Sequence, residues 1–217
     1  MIHSCQDRYW YVKQFLVPSL LEQGINKDNI IIYLDNTNDG NLKSCLKSFS
    51  LCKDISLGTW HLQDDVIIST DFKQLTETYD NGIVCGFVNE NIGPDINKIG
   101  KVKVHDMWLS FPCIRIPNKL ALEFITWFNT KAVNNKDYKD RIARGKSDDW
   151  FFRIFLRDEY PTMEVLNLKP NLINHIDYLL GGSIANNYRK EKRMSYYWTE
   201  NNLIDALENK LNEQRRI

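Results

Sequence analysis

Two adjacent carboxylates, Asp64 and Asp65, interrupt the apolar run "GTWHLQDDVIISTDF" at residues 58–72, and Val66, Ile67 and Ile68 resume it at once. Neighbouring carboxylates repel each other, so a pair set between buried segments calls for positive charge unless both are solvated. A divalent cation is the natural candidate, because hard carboxylate oxygens suit Mg²⁺ or Mn²⁺, and either ion can bridge to phosphate oxygens. The plainer reading is a solvated pair opening the next turn. A third acid, Asp35, ends the β-branched run "NIIIYLD" just before Asn36, Asn38, Asp39 and Gly40. Asp35 either serves a turn whose residues tolerate unusual dihedrals, or offers a strand-end hydrogen bond to a nucleobase or ribose.

A second acidic pair stands in "GKSDDWFFRIFL". Ser147 suits an N-cap, and Asp148 and Asp149 suit the positive end of a helix dipole, which accounts for both acids without any function. Trp150 and Phe151 would anchor that helix in the core. Further on, "KPNLINHIDYLLGGS" places His175 after a predicted strand and a proline turn, ahead of Gly181, Gly182 and Ser183. A lone histidine is more often structural than functional, while a Gly-Gly-Ser run lets backbone N–H groups approach phosphate. Arg189, Lys190, Lys192 and Arg193 follow as a basic stretch, readable also as a solvated loop. His61 is expected to face the core, and His3 and His105 suggest no particular chemistry.

These residues need elements to position them. The first half alternates strand and helix signals: "MIHSC", "NIIIYLD", "WHLQDDVII" and "GIVCGFVN" read as strands, the second and fourth as buried ones. Between them "RYWYVKQFLVPSLLEQG", with Pro18 a kink, "NLKSCLKSF" and "DFKQLTETYD" read as helices. Such alternation predicts a mainly parallel sheet, with ligands at the carboxyl ends of its strands. The second half adds strands at "MWLSFPCIRIP" and "TMEVLNL" and helices at "NKLALEFITWFNT" and "SDDWFFRIFLRD". A closing amphipathic helix carries Leu203, Leu207 and Leu211. Residues 90–106 and 131–147 read as loops, the second basic.

The chain of 217 residues is 43% hydrophobic and 12% aromatic, enough to build a sizeable core in one domain. Lys plus Arg equals Asp plus Glu, 28 each, which argues against a protein built mainly to bind nucleic acid or membrane surfaces. Cys5, Cys45, Cys52, Cys85 and Cys113 lack CxxC spacing and read as reduced, mostly buried residues. No basic segment leads into a long apolar run, and no stretch approaches the ~18 apolar residues of a membrane span. A cytoplasmic protein without a membrane anchor is expected.

"LDNTNDGN" followed by "GTWHLQDDVIISTDF" resembles the nucleotide-sugar half of a GT-A-fold, family 2-like glycosyltransferase, of the compact kind that phages and prophages encode. The resemblance implies one Rossmann-like α/β domain with a mixed, mainly parallel sheet flanked by helices. Residues 1–90 would bind the donor, and residues 91–217 would supply the acceptor half and a closing segment. It implies that Asp35 holds the nucleobase, and that Asp65 first and Asp64 second serve the metal and diphosphate. The "SCQDRYW" loop would touch the nucleotide through Asp7 or Arg8. Asp149, ahead of Asp148, would be the general base, reaching within ~3 Å of the acceptor hydroxyl. His175 is similar to the late metal or diphosphate ligand of several such families, and imidazole with carboxylate suits Mn²⁺ better than Mg²⁺. Ser183, Arg189 and Arg193 would close over the diphosphate. One departure is that the two motifs stand closer together than is usual, so the element between them must be short.

The expected activity is metal-dependent transfer of a sugar, from a UDP-sugar foremost, to an acceptor hydroxyl. Some phage enzymes of this kind modify hydroxymethylated bases of their own DNA, and the basic segment "KDYKDRIARGK" and the basic C-terminal stretch could track a phosphate backbone. A cell-envelope glycan or a small molecule is an equal alternative as acceptor. A nucleotidyltransferase would need a glycine-rich phosphate loop after the first strand, where "SCQDRYW" has no glycine. A non-catalytic nucleotide-binding module is the third alternative.

Overall fold

In the computed structural model, residues 1–37, 39–88, 99–104, 111–145, 147–181 and 198–214 are described. Among these residues, nine short strands form two sheets: β1 Ile2–Cys5, β2 Ile32–Asp35, β3 Gly58–Gln63, β4 Val66–Ile68, β5 Ile83–Cys85, β6 Gly100–Lys103, β7 Cys113–Pro117, β8 Glu164–Asn167 and β9 Ile173–His175. The main sheet has the order β2-β1-β3-β7-β5-β8-β6, and β4 pairs with β9 in a small second sheet. β1 is parallel to β2 and β3, and β5 to β8, while β7 and β6 run against their neighbours. The expected mixed, mainly parallel α/β sheet is therefore present. Its halves interleave, because β7 from the second half lies between β3 and β5.

Alternation along the strands feeds a core on each face. Ile83 and Cys85 of β5, with Ile114 and Ile116 of β7, point to one side; Val84 and Cys113 point to the other. The first core is aromatic. Phe49 of α3 (Asn41–Phe49), Phe124 of α5 (Asn118–Trp127), and Phe151, Phe152 and Phe155 of α7 (Asp148–Glu159) are all fully buried. Each such side chain contributes about 1.5–3 kcal/mol of burial. The opposite core joins Tyr11 of α1 (Tyr9–Tyr11), Leu20 of α2 (Val17–Glu22), Phe72 of α4 (Phe72–Thr78) and Ile173 of β9. Ile204, Leu207 and Leu211 of α8 (Asn201–Gln214) complete it, with Leu203 beside them. No helix among the described residues is long and apolar enough to cross a membrane. The five cysteines are free, and all but Cys5 are buried.

Several expectations need correction. "WHLQDDVII" is two strands: β3 stays in the main sheet, β4 leaves for the small one, and Asp64 and Asp65 form the corner between them. "NIIIYLD" is not covered on both faces. β2 is an edge of the described sheet, and Ile32, Tyr33 and Leu34 are half-buried. The basic segment read as a loop is largely helical: a π turn, Phe128–Ala132, continues α5, and a short 3-10 turn leads into α6 (Lys139–Ala143). Part of the other predicted loop is strand β6. Around Pro18 the helix loosens one turn early, in the π turn Val12–Leu16 between α1 and α2. Proline cannot donate to the carbonyl four residues back, and a wider turn accommodates its ring.

The topology also marks a position for ligands. β1 has β2 on one side and β3 on the other, so successive crossovers leave it in opposite directions. The crevice at the carboxyl ends of β1 and β3 is thus a topological switch point, where open α/β sheets bind their ligands.

Candidate functional site

The switch point is built from four segments. β1 ends at Cys5, whose backbone N–H donates to Asp64 Oδ2 at 3.0 Å. The 3-10 turn Gln6–Arg8 follows, and Arg8 is 95% buried, because it turns inward to the two aspartates. Its Nη1 lies 3.4 Å from Asp64 Oδ1 and hydrogen-bonds Asp65 Oδ2 more closely. The β3–β4 corner is pinned on both sides: the Asp65 carbonyl accepts from Ile176 N at 2.8 Å, and the Val66 carbonyl accepts from Tyr11 Oη at 2.8 Å. β9 pairs His175 with Val66 in register, which brings His175 Nε2 to 3.3 Å from Asp65 Oδ1. Beyond it, Asp177 Oδ1 lies 3.1 Å from His175 Nδ1.

All five side chains are buried. Burial and the neighbouring Asp65 push the Asp64 carboxyl up to about 6, against the pull of Arg8 and the Cys5 N–H. Burial alone would lower His175, but the Asp65 and Asp177 carboxylates outweigh it and raise the imidazole to about 9. Arg8 is likewise held charged, its burial outweighed by Asp65 and Asp64. The described ion pairs thus join three buried carboxylates to a guanidinium and an imidazole. Charges taken out of water in this way are tolerated only when paired.

Asp65, His175 and Asp177 offer ligand atoms within 4.8 Å of one another. The Asp65 carboxylate and the His175 imidazole suit Mn²⁺ or a similar borderline-hard ion, so this donor pair fits the expected metal. Asp177 also sits on the far nitrogen of the ring from Asp65, as does a carboxylate that fixes a metal-bound histidine's orientation.

The structure therefore brings Arg8, Asp64, Asp65 and His175 together from two halves of the chain. It adds Asp177, which the sequence reading missed; the signal was the His-x-Asp spacing of "HID", which can present both side chains to one side of an extended chain.

The other candidates gather around α3. Asp35 is buried at the end of β2, and its carboxylate accepts from Ser44 Oγ at 2.7 Å, Asp39 N at 3.0 Å, Thr37 N at 3.1 Å and Thr37 Oγ1 at 3.2 Å. Burial opposes its ionisation, but these donors prevail and hold the carboxyl below its usual range. Asp35 thereby organises the turn that opens α3. That turn packs tightly: Gly40, at φ +83°, lies against Gly145, whose carbonyl oxygen would stand 2.7 Å from an added Cβ.

Asp148 begins α7 and is buried beside Cys45 of α3, whose thiol is raised by burial and by the two acids. Burial and Asp149 push the Asp148 carboxyl up to about 7. Asp149 is half-buried and accepts from Trp150 N at 2.7 Å. Ser147 holds the N-cap position but departs from the expected cap: its φ is +75°, and its hydroxyl makes no capping hydrogen bond. Phe151 enters the core as expected, while Trp150 is half-buried under the Arg141 guanidinium, 4.2 Å from the ring centroid. His61 faces the core, where its Nδ1 meets His3 Nε2 at 2.9 Å, and burial keeps both rings neutral.

Ser183, Arg189 and Arg193 lie outside the described residues, as do Asn38, His105, Gly182, Lys190 and Lys192. Comparison of the chain with protein-family models and with curated proteins finds no match.

Proposed function

We propose that the protein is a metal-dependent glycosyltransferase that moves a sugar from a nucleoside-diphosphate donor, a UDP-sugar foremost, to an acceptor hydroxyl. The observation that carries this reading is the buried Arg8–Asp64–Asp65–His175–Asp177 cluster, three of whose side chains could hold a metal ion, at the switch point of an α/β sheet. The resemblance of "LDNTNDGN" and "QDDV" to donor-site motifs supports it. Asp65 and His175 would hold Mn²⁺ or Mg²⁺, with Asp64 beside them. A bound dication there neutralises the diphosphate and improves the leaving group.

The chain's own groups supply the rest. Arg8 offers a charged fork suited to phosphate oxygens. Asp177 orients the His175 ring. For the acceptor-activating base the proposal keeps the Asp148–Asp149 pair, and a carboxyl held near about 7 is well matched to accept a proton at neutral pH.

For the acceptor, the proposal is a hydroxymethylated base in DNA, because exposed Lys136, Lys139 and Arg144 lie on the segment that leads into the Asp148 helix start. The test is release of nucleoside diphosphate from a panel of nucleotide sugars with Mn²⁺, with hydroxymethylated DNA as one acceptor and small glycans as others. Transfer that requires the metal and collapses in Asp148→Asn or Asp149→Asn is expected. Binding to DNA should weaken steeply with salt. No product from any donor, or product formed equally well with EDTA, would contradict the proposal.

A further inference from the structure

We propose that Arg8 is a built-in counter-cation that a divalent ion must displace from Asp65, and that the displaced guanidinium then grips the diphosphate, so that cation and diphosphate bind cooperatively. The inference rests on reading Asp65 and His175 as the cation site.

The geometry sets which group must move. Asp65 is fixed by its backbone, with the Asp65 carbonyl held by Ile176 N and the next carbonyl by Tyr11 Oη. His175 is fixed by the β4–β9 pairing and by Asp177. Arg8, in contrast, reaches the corner from a three-residue 3-10 turn through a long side chain. It already occupies Asp65 Oδ2 and approaches Asp64 Oδ1. A dication on Asp65 would stand beside the guanidinium in a water-poor site, where like charges repel strongly.

A lysine or histidine could escape by losing a proton, but arginine cannot, so it has to relocate. If a diphosphate binds beside the cation, its oxygens would give the guanidinium a bidentate partner of the same charge type as the carboxylates it leaves. The cation alone therefore binds against the Arg8–Asp65 ion pair. With diphosphate present the same displacement is compensated, and the coupling is reciprocal.

The test is Mn²⁺ titration of metal-free wild type and Arg8→Gln, read by the electron paramagnetic resonance of free Mn²⁺. A parallel titration uses the preformed Mn²⁺–pyrophosphate complex as a single ligand. Arg8→Gln should bind Mn²⁺ alone roughly tenfold more tightly than wild type, within the usual span of such couplings. The order should reverse for the pyrophosphate complex. Equal or weaker Mn²⁺ binding by Arg8→Gln overturns the proposal, as does an unreversed order.

If Arg8→Gln unfolds without metal, Mn²⁺ should restore its melting transition. In wild type, the ¹⁵N signals of the Arg8 guanidinium should move when Mg²⁺ binds; signals unmoved by bound Mg²⁺ count against displacement. Failure of both proteins to bind Mn²⁺ or its pyrophosphate complex contradicts the cation site itself, and so separates that failure from failure of the exchange.

Discussion

The chain contains the same dipeptide twice, and the two copies handle buried charge with different partners. Asp64–Asp65 sits at a corner between two sheets and collects a guanidinium, an imidazole and a backbone N–H. Asp148–Asp149 begins a helix, where burial and mutual repulsion push Asp148 towards its neutral form. Burial and mutual repulsion raise one carboxyl of each pair, Asp64 to about 6 and Asp148 to about 7, but at Asp64 the Arg8 guanidinium opposes that rise. A cation site would need the first arrangement and a proton acceptor the second, so the contrast bears on the two roles proposed for a dipeptide that the sequence writes identically.

The comparison can be broken most forcefully at Arg8. Without divalent metal, Arg8→Ala leaves both aspartates without their guanidinium, and chemical denaturation should show a loss of about 3–5 kcal/mol. A loss below about 1 kcal/mol would mean that the cluster is solvated in the manner of a surface pair.

The second pair should respond in the opposite direction. A carboxyl held at about 7 when folded, against 3.8 as its ordinary value, stays protonated where the unfolded chain ionises. The unfolded state then binds fewer protons, so stability falls as pH rises from about 4 through about 7. Asp148→Asn should remove that slope and raise stability at pH 8 by on the order of 2–4 kcal/mol. At the same time it should lower turnover, and a variant both destabilised and fully active would break the assignment.

A subtler test uses His175 in the metal-free protein. Its folded value of about 9 exceeds the ordinary 6.5, so its contribution is complete below 6.5 and is lost as pH rises through about 9. Wild type minus His175→Gln, compared at pH 6 and pH 10 in EDTA, should differ by on the order of 2 kcal/mol. The smallest effect expected is at the second helix start. Arg141→Ala removes the stacking over Trp150 and should cost about 0.5–1 kcal/mol, measured at high salt to remove long-range charge effects.

Much of the first site was legible because its residues carry a local signature. Charged side chains that interrupt or end apolar runs stand out, which marked Asp64 and Asp65 here and Asp35 in the group around α3. What joins them was harder to see. Arg8 and His175 entered through a resemblance, and Asp177 went unread because strand β9 is three residues long and gives its periodicity little room.

The corner at Asp64 was hidden as well. Apolar character continues across it, and period-two patterning does not reveal a change of sheet. β2 misled for a related reason: a continuous β-branched run is also compatible with an edge strand. Residues 131–147 read as a loop because they are basic, while the anchors of the helical turns there, Ala132 and Tyr138, lie apart in the sequence. Propensity gave way there to tertiary packing.

The most direct test of the account is the melting temperature of the purified protein against nucleoside diphosphates and nucleotide sugars, with and without Mn²⁺, in wild type and Asp65→Ala. Binding to the folded state raises the melting point by mass action. The account predicts stabilisation by one nucleotide that requires Mn²⁺ and disappears in Asp65→Ala. No shift with any nucleotide, or a shift that survives the loss of Asp65, would contradict it and leave the Asp64–Asp65 corner a purely structural turn.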